Sequence, residues 1–273
     1  MTGLQKALQA ALGAGYVVQR QIASGGMAAV FLAVERDTAA RVAIKVLLPT
    51  FARVVGAERF HREVATLTGL RHPHIVPFLA SGQAGTLPYY LTPYATGGSL
   101  QDRVGVQLAL AEVVSVARDV AAALDYAHKE NVVHRDIKPG NVVFDGGRAL
   151  VCDFGGARAI IRASGDELSS SGLIVGTPVY MSPEQASGQH DLGPASDLYA
   201  LGCVVYEMLV GEPPFSGPTV QAVLARQVGE RPRSLRVVRP DLSPRVEEAV
   251  RAALAKRPED RPRSGAEFVG LLE

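Results

Sequence analysis

Three polar side chains in one stretch could together hold a divalent cation and handle a proton. Asp136 and Asn141 are followed by two short apolar runs, then by Asp153. The runs are separated by an Asp-Gly-Gly tripeptide at 145–147, which predicts a tight hairpin that returns Asp153 to the side of Asn141. A carboxylate and an amide oxygen that converge in this way suit Mg²⁺ held with a polyphosphate. Asp136 would then be available to orient a hydroxyl group and accept its proton.

A lysine and a loop of small residues could bind the phosphates. Lys45 lies inside the apolar strand predicted over Arg41 to Leu48, where an ammonium group requires a partner. A lysine whose charged end reaches solvent is the alternative. Upstream, two strands predicted over Tyr16 to Val34 enclose a turn of small residues, whose amide groups can approach an anion closely. A plain hairpin is the alternative interpretation of that turn.

Composition and charge exclude several function classes. The chain has 273 residues, of which 47% are hydrophobic, enough for one large domain or two joined lobes. Its net charge of +1 and the absence of a long basic run argue against nucleic acid as a partner. The two cysteines lie in apolar runs, which excludes a disulfide framework and favours a reducing compartment.

Membrane contact is not expected from this sequence. The longest apolar stretch, Leu198 to Val210, contains Glu207 and is too short to span a bilayer, so it predicts a buried helix. The first fifteen residues lack the apolar block of a signal peptide.

Periodic apolar residues predict the helices that must support the polar stretch. Leucines at 4, 8 and 12 indicate a short helix or a frayed terminus. A helix over Glu112 to Lys129 leads into the polar stretch, and a stripe at 60, 64 and 67 predicts another after Lys45. Serines at 243 and 264 are predicted to cap two later helices, the second in a capping box with Glu267.

The motifs at these positions resemble those of protein kinases. His134-Arg135-Asp136 with Lys138 and Asn141, then Asp153-Phe154-Gly155, is similar to the catalytic loop and metal-binding turn of that family. The lysine of the HRDxKPxN pattern is similar to that of serine/threonine kinases. The GTPVYMSPE run at 176–184 resembles that of bacterial, eukaryotic-like kinases of the receptor class.

The resemblance covers about residues 16 to 273 and implies an α+β, two-lobed protein kinase fold. A small, mainly antiparallel-sheet N-lobe with one key helix is expected at about 16–91. A hinge at about 92–96 and a larger, mainly helical C-lobe at about 97–273 would follow. Residues 1–15 would form an N-terminal extension.

The resemblance also implies ATP and Mg²⁺ as ligands, with Mn²⁺ as an alternative metal. Lys45, paired with Glu63 in preference to Glu58, would grip the α/β-phosphates, and Asn141 and Asp153 would hold the metal. Pro93 and Ala95 would meet adenine, with Thr92 guarding the back of the pocket. The other implied contacts with the nucleotide lie in the phosphate loop and the pocket walls: Ile22, Ala23, Ser24, Gly25, Gly26, Met27, Ala28, Ala29, Val30, Ala43 and Val143.

The phosphate loop departs from the family pattern at two positions. Ala23 and Ala28 stand where the family has glycine. Because alanine restricts φ, we predict a stiffer loop whose nucleotide affinity or mobility is altered.

The remaining residues of the implied site orient the chemistry. Asp136 would act as the base, Lys138 would contact the γ-phosphate, and Thr177 would bond both. Asp197 would anchor the backbone of the catalytic loop. Arg261 would pair with Glu184.

Arg135, next to the catalytic acid, implies a phosphate switch on the long segment between Phe154 and Glu184. A solvated, flexible loop is the alternative. The candidate phosphorylation sites are Ser164, Ser169, Ser170 and Ser171.

The expected function is ATP-dependent phosphorylation of serine and threonine in proteins, including autophosphorylation. A nucleotide-binding pseudokinase scaffold is the alternative, although Lys45, Asp136 and Asp153 are all present and only the two loop alanines favour it. A small-molecule phosphotransferase is a second alternative, and the GTPVYMSPE run argues against it. The expected partners are protein substrates and a second copy bound through the N-lobes. We expect a cytoplasmic location, alone or as the cytoplasmic domain of a longer membrane-anchored protein.

Overall fold

The computed structural model describes residues 2–55, 60, 64, 69–154, 177–189 and 191–273, without the side chains at 54 and 55. These residues fall into two units. The first holds the described residues up to Arg71 together with Val76–Ala95. The second holds His72–Ile75, Thr96–Phe154 and the described residues from Thr177 onward.

An antiparallel five-stranded sheet in the order β1-β2-β3-β5-β4 forms the centre of the first unit. Tyr16 to Val34 does form two strands around a short turn, as predicted. The strands are β1 Tyr16–Ser24, β2 Ala28–Glu35, β3 Arg41–Leu47, β4 Ala80–Ala84 and β5 Leu87–Pro93. Apolar layers cover both faces of this sheet. Val42, Ile44 and Val46 of β3 pack in one layer, whereas Leu47 packs in the other.

Helix α1 (Gly3–Leu12) packs on the face that carries Ile44. Leu8 is fully buried there, and the Gln5 side chain donates to the carbonyl oxygens of Val18 and Gln19 at 3.1 and 2.8 Å. The helix ends at Gly13, whose φ of +62° favours glycine. The sequence indicated either a short helix or a frayed terminus, and the structure confirms the helix.

Helix α2 (Pro49–Val55) and the helical residues Phe60 and Val64 cover the other face. Phe60 and Val64 are both buried, as the apolar stripe predicts. Lys45 belongs to this face, because it pairs in register with Tyr90 of the same layer.

The second unit is mainly helical. Its helices are α3 Leu110–Lys129, α4 Pro183–Ala186, α5 Pro194–Val210, α6 Val220–Gly229, α7 Leu235–Val238, α8 Pro244–Ala253 and α9 Gly265–Leu272. The predicted helices over Glu112 to Lys129 and Leu198 to Val210 are confirmed as α3 and α5, and α5 is buried from Ser196 to its end at Val210. Its close packing on α8 depends on Gly202, where a Cβ atom would come within 2.9 Å of the Ala253 Cβ. A hairpin of β6 (Val142–Asp145) and β7 (Arg148–Val151) completes this unit.

The N-terminus of α9 corrects one prediction. Ser264 is the N-cap, as expected, and its Oγ accepts a hydrogen bond from the Glu267 amide at 3.1 Å. The Glu267 carboxylate, however, accepts from the amide of Arg263 at 2.7 Å instead of closing a capping box on Ser264. The first helical amides, of Gly265 and Ala266, are bound by the Asp125 carboxylate of α3.

Across the part of the chain that the structure describes, no helix has both the length and the apolar character needed to cross a membrane.

Candidate active site

The β6–β7 hairpin brings Asp153 beside Asn141, as its sequence predicts. Gly146 and Gly147 have φ values of +55° and +80°, the left-handed conformation that a two-residue type I′ turn requires at both positions. Val142 pairs with Val151 at the open end of the hairpin. The amide of Cys152 then donates to the carbonyl oxygen of Asn141 at 2.9 Å. Asp153 therefore follows directly on a residue that is bonded to Asn141.

Asp136, Lys138 and Asn141 form one hydrogen-bonded cluster. The Nδ2 of Asn141 donates to the carbonyl oxygen and to Oδ2 of Asp136, at 2.7 and 3.0 Å. The Lys138 Nζ lies 2.7 Å from the same Oδ2. Because the amide nitrogen is committed to Asp136, the Oδ1 of Asn141 is the side-chain atom that can ligate a cation.

The backbone of this loop is fixed by Asp197 in the first turn of α5. Asp197 is 1% exposed, and its carboxylate accepts from the amides of His134 and Arg135, each at 2.8 Å. Arg135 has a φ of +70°, a conformation that costs a non-glycine residue about 1–3 kcal/mol. The predicted anchoring role of Asp197 is thus matched by two charge-assisted hydrogen bonds that hold this strained residue.

Two histidines complete the support of the loop. His134 is fully buried, accepts from the Asp136 amide at Nδ1 (3.2 Å), and donates from Nε2 to the Cys152 carbonyl (2.9 Å). It therefore ties the catalytic loop to the residue before Asp153. His128, at the end of α3, lies with Nε2 2.8 Å from Oδ2 of Asp197. His128 was not predicted as a site residue, and its position six residues before His134 is the only signal that the sequence offers.

Glu184 and Arg261 form the predicted buried ion pair. Two nitrogen–oxygen contacts of 2.7 and 2.8 Å join them, and the Ser196 hydroxyl adds a third hydrogen bond to Glu184 at 2.6 Å. Burial alone would raise the pKa of Glu184, but the hydrogen bonds from Arg261 and Ser196 outweigh it and lower the pKa to about 2. The pair therefore stays ionised throughout the physiological range.

The segment that precedes Glu184 is held at two points. The Tyr180 hydroxyl donates to Oε2 of Glu207 at 2.7 Å, and burial raises the pKa of Glu207 despite this bond. Gln227 of α6 donates to the Pro178 carbonyl at 3.1 Å. Neither contact was predicted. Glu207 is a single polar residue within an apolar helix, and Gln227 is one of several polar residues on an amphipathic helix. Thr177 is half-buried, and among the described residues its side chain makes no hydrogen bond to Asp136 or Lys138.

The strand register of the first unit gathers several predicted nucleotide contacts on one face of the sheet. Lys45 pairs with Val30 of β2, Ala43 pairs with Thr92 of β5, and Val30 also pairs with Ala23 of β1. Directly paired residues of antiparallel strands share a face, so the other four residues lie on the same side of the sheet as Lys45.

The turn between β1 and β2 is closed by a hydrogen bond from the Gly25 amide to the Ala28 carbonyl at 2.9 Å. Ile22 and Met27 are half-buried, and Ser24, Gly25 and Gly26 are exposed. Ala28 is 8% exposed; it pairs with Leu47 of β3 and belongs to the apolar layer that also holds Tyr90. Ala29 is buried in the opposite layer, under α1, so its side chain faces away from Lys45.

Other predicted nucleotide contacts lie near the end of β5 and in β6. Pro93 ends β5, Ala95 follows it, and Val143 lies in β6; all three are partly buried. Glu63 and its alternative Glu58 lie outside the described residues. The candidate phosphorylation sites Ser164, Ser169, Ser170 and Ser171 lie outside them as well.

The chain belongs to the protein kinase domain family, whose model matches residues 16–267. The α+β, two-lobed fold expected from the motifs is confirmed, with an antiparallel sheet in one unit and helices in the other. A crystal structure of the Mycobacterium tuberculosis PknI kinase domain is similar, with a TM-score of 0.72 and 30% sequence identity. The similarity covers 95% of this chain and 95% of that one.

Two named relatives show the same similarity at the level of sequence. Serine/threonine-protein kinase PknB of Mycobacterium tuberculosis is 39% identical over 216 residues, which make up 76% of this chain and 34% of PknB. The probable serine/threonine-protein kinase PknB of Bifidobacterium longum is 38% identical over 231 residues, 80% of this chain and 33% of that protein. The chain thus spans about a third of the length of these relatives.

Proposed function

We propose that this chain transfers the γ-phosphoryl group of Mg-ATP to serine and threonine hydroxyls of proteins. The observation that carries the proposal is the cluster of Asp136, Lys138 and Asn141, in which one carboxylate is oriented by an ammonium and an amide. The names of the two relatives, both serine/threonine-protein kinases, support the same activity.

Asp136 is the proposed base. Its Oδ2 accepts from Lys138 and Asn141, and among the described residues Oδ1 accepts no hydrogen bond. Oδ1 can therefore accept the proton of a substrate hydroxyl as that oxygen attacks phosphorus. Lys138 is close enough to Asp136 to contact the transferred phosphoryl group and balance its charge.

The donor set fits a hard divalent cation. Asn141 offers Oδ1, Asp153 offers a carboxylate, and the Cys152–Asn141 hydrogen bond keeps the two residues adjacent. Among the described residues no group of three or more His, Cys, Asp or Glu side chains is placed to hold a metal ion. Mg²⁺ is the proposed ion, with Mn²⁺ as the alternative. When bound, it would neutralise charge on the phosphoryl group.

The first unit supplies the proposed phosphate and adenine contacts. Lys45 would bind the α/β-phosphates with Glu63 as its ion-pair partner, and the turn of Gly25 and Gly26 would cover the phosphates. The carbonyl of Pro93 and the amide of Ala95 would meet adenine. Thr177 keeps its proposed role next to Asp136, which would require its side chain to turn toward that carboxylate.

We further propose that protein substrates include the chain itself, at Ser164, Ser169, Ser170 or Ser171, with Arg135 binding the resulting phosphate. A cytoplasmic location and a homodimer through the first unit are part of this proposal. The activity and partners of any longer protein that contains this chain are part of the proposal as well.

The test is phosphate transfer from radiolabelled ATP and Mg²⁺ to dephosphorylated casein. Wild-type protein should label serine or threonine, Asp136→Asn should abolish transfer, and the exposed Asp191→Asn should leave it unchanged. A wild type that binds ATP without transferring phosphate would instead establish the scaffold alternative. Mass spectrometry after incubation with ATP tests the serines, since activity on casein without phosphate at 164–171 would exclude the proposed switch.

A further inference from the structure

Gln227 is a fully buried polar residue in the middle of a network that joins three elements. It lies on α6, where Gln221 is exposed, as glutamine ordinarily is. Its Nε2 donates to the Pro178 carbonyl at 3.1 Å, and its Oε1 accepts from the Tyr199 hydroxyl at 2.6 Å. Both ends of one amide are thus committed, which fixes its orientation and makes the site sensitive to the loss of either partner.

The partner on one side is the turn that leads to Glu184. Pro178 has no N–H, so its carbonyl is its only polar backbone group. That turn, Pro178–Tyr180, continues to Gln185, whose Nε2 donates to the Arg135 carbonyl at 2.9 Å, next to Asp136. Gln227 therefore holds one end of a segment whose other end is bonded to the catalytic loop.

The partner on the other side is α5. Tyr199 lies two residues after Asp197 on that helix, and Asp197 is the anchor of His134 and Arg135. One stretch of a buried helix therefore sets the position of two loops. Asp197 fixes the catalytic loop directly, and Tyr199 fixes the Pro178–Tyr180 turn through Gln227.

Lys256 supports the same network from below the Tyr199 ring. Its Nζ donates to the Gln227 carbonyl at 2.8 Å and to the Tyr199 hydroxyl at 3.2 Å, and lies 4.1 Å from the centre of the Phe215 ring. Burial lowers the pKa of Lys256 to about 8, so the side chain remains largely a cationic donor at neutral pH. The helix α6 is thus held at Gln227 by both its side chain and its backbone.

We propose that Gln227 is a positioning residue that fixes the Pro178–Tyr180 turn relative to the catalytic loop and thereby sets how protein substrates bind. This inference rests on the proposed protein kinase activity. A positioning role differs from a purely structural role in one respect: loss of the contact should weaken the use of protein substrates and spare the use of ATP.

The experiment compares Gln227→Met, which keeps the length of the side chain, with Gln221→Met on the exposed side of the same helix. Phosphate transfer to dephosphorylated casein and hydrolysis of Mg-ATP without protein are measured for each variant, with Tm as a control. For Gln227→Met we expect kcat/KM for casein to fall by about fivefold or more, with KM for ATP and the hydrolysis rate within about twofold of wild type. Gln221→Met should match wild type in all measurements.

An equal loss of casein phosphorylation and ATP hydrolysis, or a lower Tm with unchanged kcat/KM for casein, would overturn the proposal. If Gln227→Met does not fold, Tyr199→Phe replaces it. That variant keeps the ring that packs against Lys256 and Arg261 and removes the hydroxyl, which donates to Gln227 and accepts from Lys256. It should lower kcat/KM for casein by about two- to threefold without a change in KM for ATP, and an unchanged value would also overturn the proposal. A wild type that hydrolyses ATP but does not label casein would count against the kinase activity itself.

Discussion

Asp197 accepts a 2.8 Å hydrogen bond from the amide of Arg135, a residue that the fold keeps at a φ of +70°. The two residues are 62 positions apart in the chain, so a strained conformation in the catalytic loop is maintained by a distant helix. The same carboxylate binds the amide of His134 and the ring of His128. The geometry of the loop thus depends on one buried charge.

We therefore expect Asp197→Asn to impair catalysis more than nucleotide binding. The asparagine side chain has one accepting oxygen, so it can accept from only one of the backbone amides of His134 and Arg135. Loss of one hydrogen bond to a charged group costs about 1.5–3 kcal/mol. If that cost appears in the transition state, kcat falls by about tenfold to a hundredfold. Steady-state assays give kcat and KM for ATP, and Asp191→Asn is the control. A kcat within twofold of wild type would show that the loop keeps its conformation without Asp197.

Glu184 provides a prediction about pH and stability. Its folded pKa of about 2 lies below the ordinary value of 4.5, so its stabilising contribution is complete above pH 4.5 and is lost as pH falls toward 2. Glu184→Gln removes this titration while keeping the shape of the side chain. Urea unfolding at several pH values between 5 and 2 gives the free energy of unfolding of both proteins. The difference between wild type and variant should shrink by up to about 3 kcal/mol as pH falls from 5 to 2. A difference that is independent of pH would contradict the assignment.

The junction of α3 and α9 predicts an unusual sensitivity to one methyl group. A Cβ atom at Gly265 would lie 2.7 Å from the Cβ of Ala121 and 2.9 Å from its carbonyl oxygen, and the latter cannot move without the helix. Gly265→Ala should therefore lower the free energy of unfolding by about 1–3 kcal/mol.

Gly270 on the same helix is the matched control for that substitution. Nothing lies within 4 Å of the corresponding Cβ position, so Gly270→Ala should be neutral or stabilising. Thermal melting of both variants distinguishes the two sites. Equal Tm values for the two variants would mean that α9 shifts on α3 without a loss of stability.

The two alanines of the phosphate loop should behave differently when they are replaced by glycine. Ala28 is buried in the apolar layer that holds Leu47 and Tyr90, so Ala28→Gly removes packing and should cost about 1 kcal/mol of stability. Ala23 is exposed in β1, so Ala23→Gly should lower stability by less. Calorimetry with Mg-ATP tests whether either change alters nucleotide affinity, and unchanged affinity in both variants would show that the loop alanines are neutral for binding.

The sequence predicted the parts of the site that depend on local chemistry. The Gly-Gly turn, the apolar strands around it and the spacing of Asp136, Asn141 and Asp153 determine the hairpin by themselves, and the structure confirms it. The ion pair of Glu184 and Arg261 followed from the family resemblance, although 77 residues separate its members.

The contacts that the sequence did not predict depend on helix packing. His128 and Gln227 are ordinary polar residues on amphipathic helices, and only the placement of α5 brings them to Asp197 and Tyr199. The displaced hydrogen bond of Glu267 has the same origin, because Asp125 of another helix already binds the amides at the start of α9. Long-range packing decides such contacts, and a single sequence does not encode it locally.

Helix α1 changes where the folding unit of this protein begins. The match to the family model starts at residue 16, yet Leu8 is fully buried on the sheet and Gln5 satisfies two carbonyl oxygens of β1. A shortened chain that began at Tyr16 would present apolar residues of this layer to water, among them Val18 of β1 and Ala84 of β4. Such a surface favours self-association, so oligomers measured on that shorter protein would report the missing helix instead of a native interface.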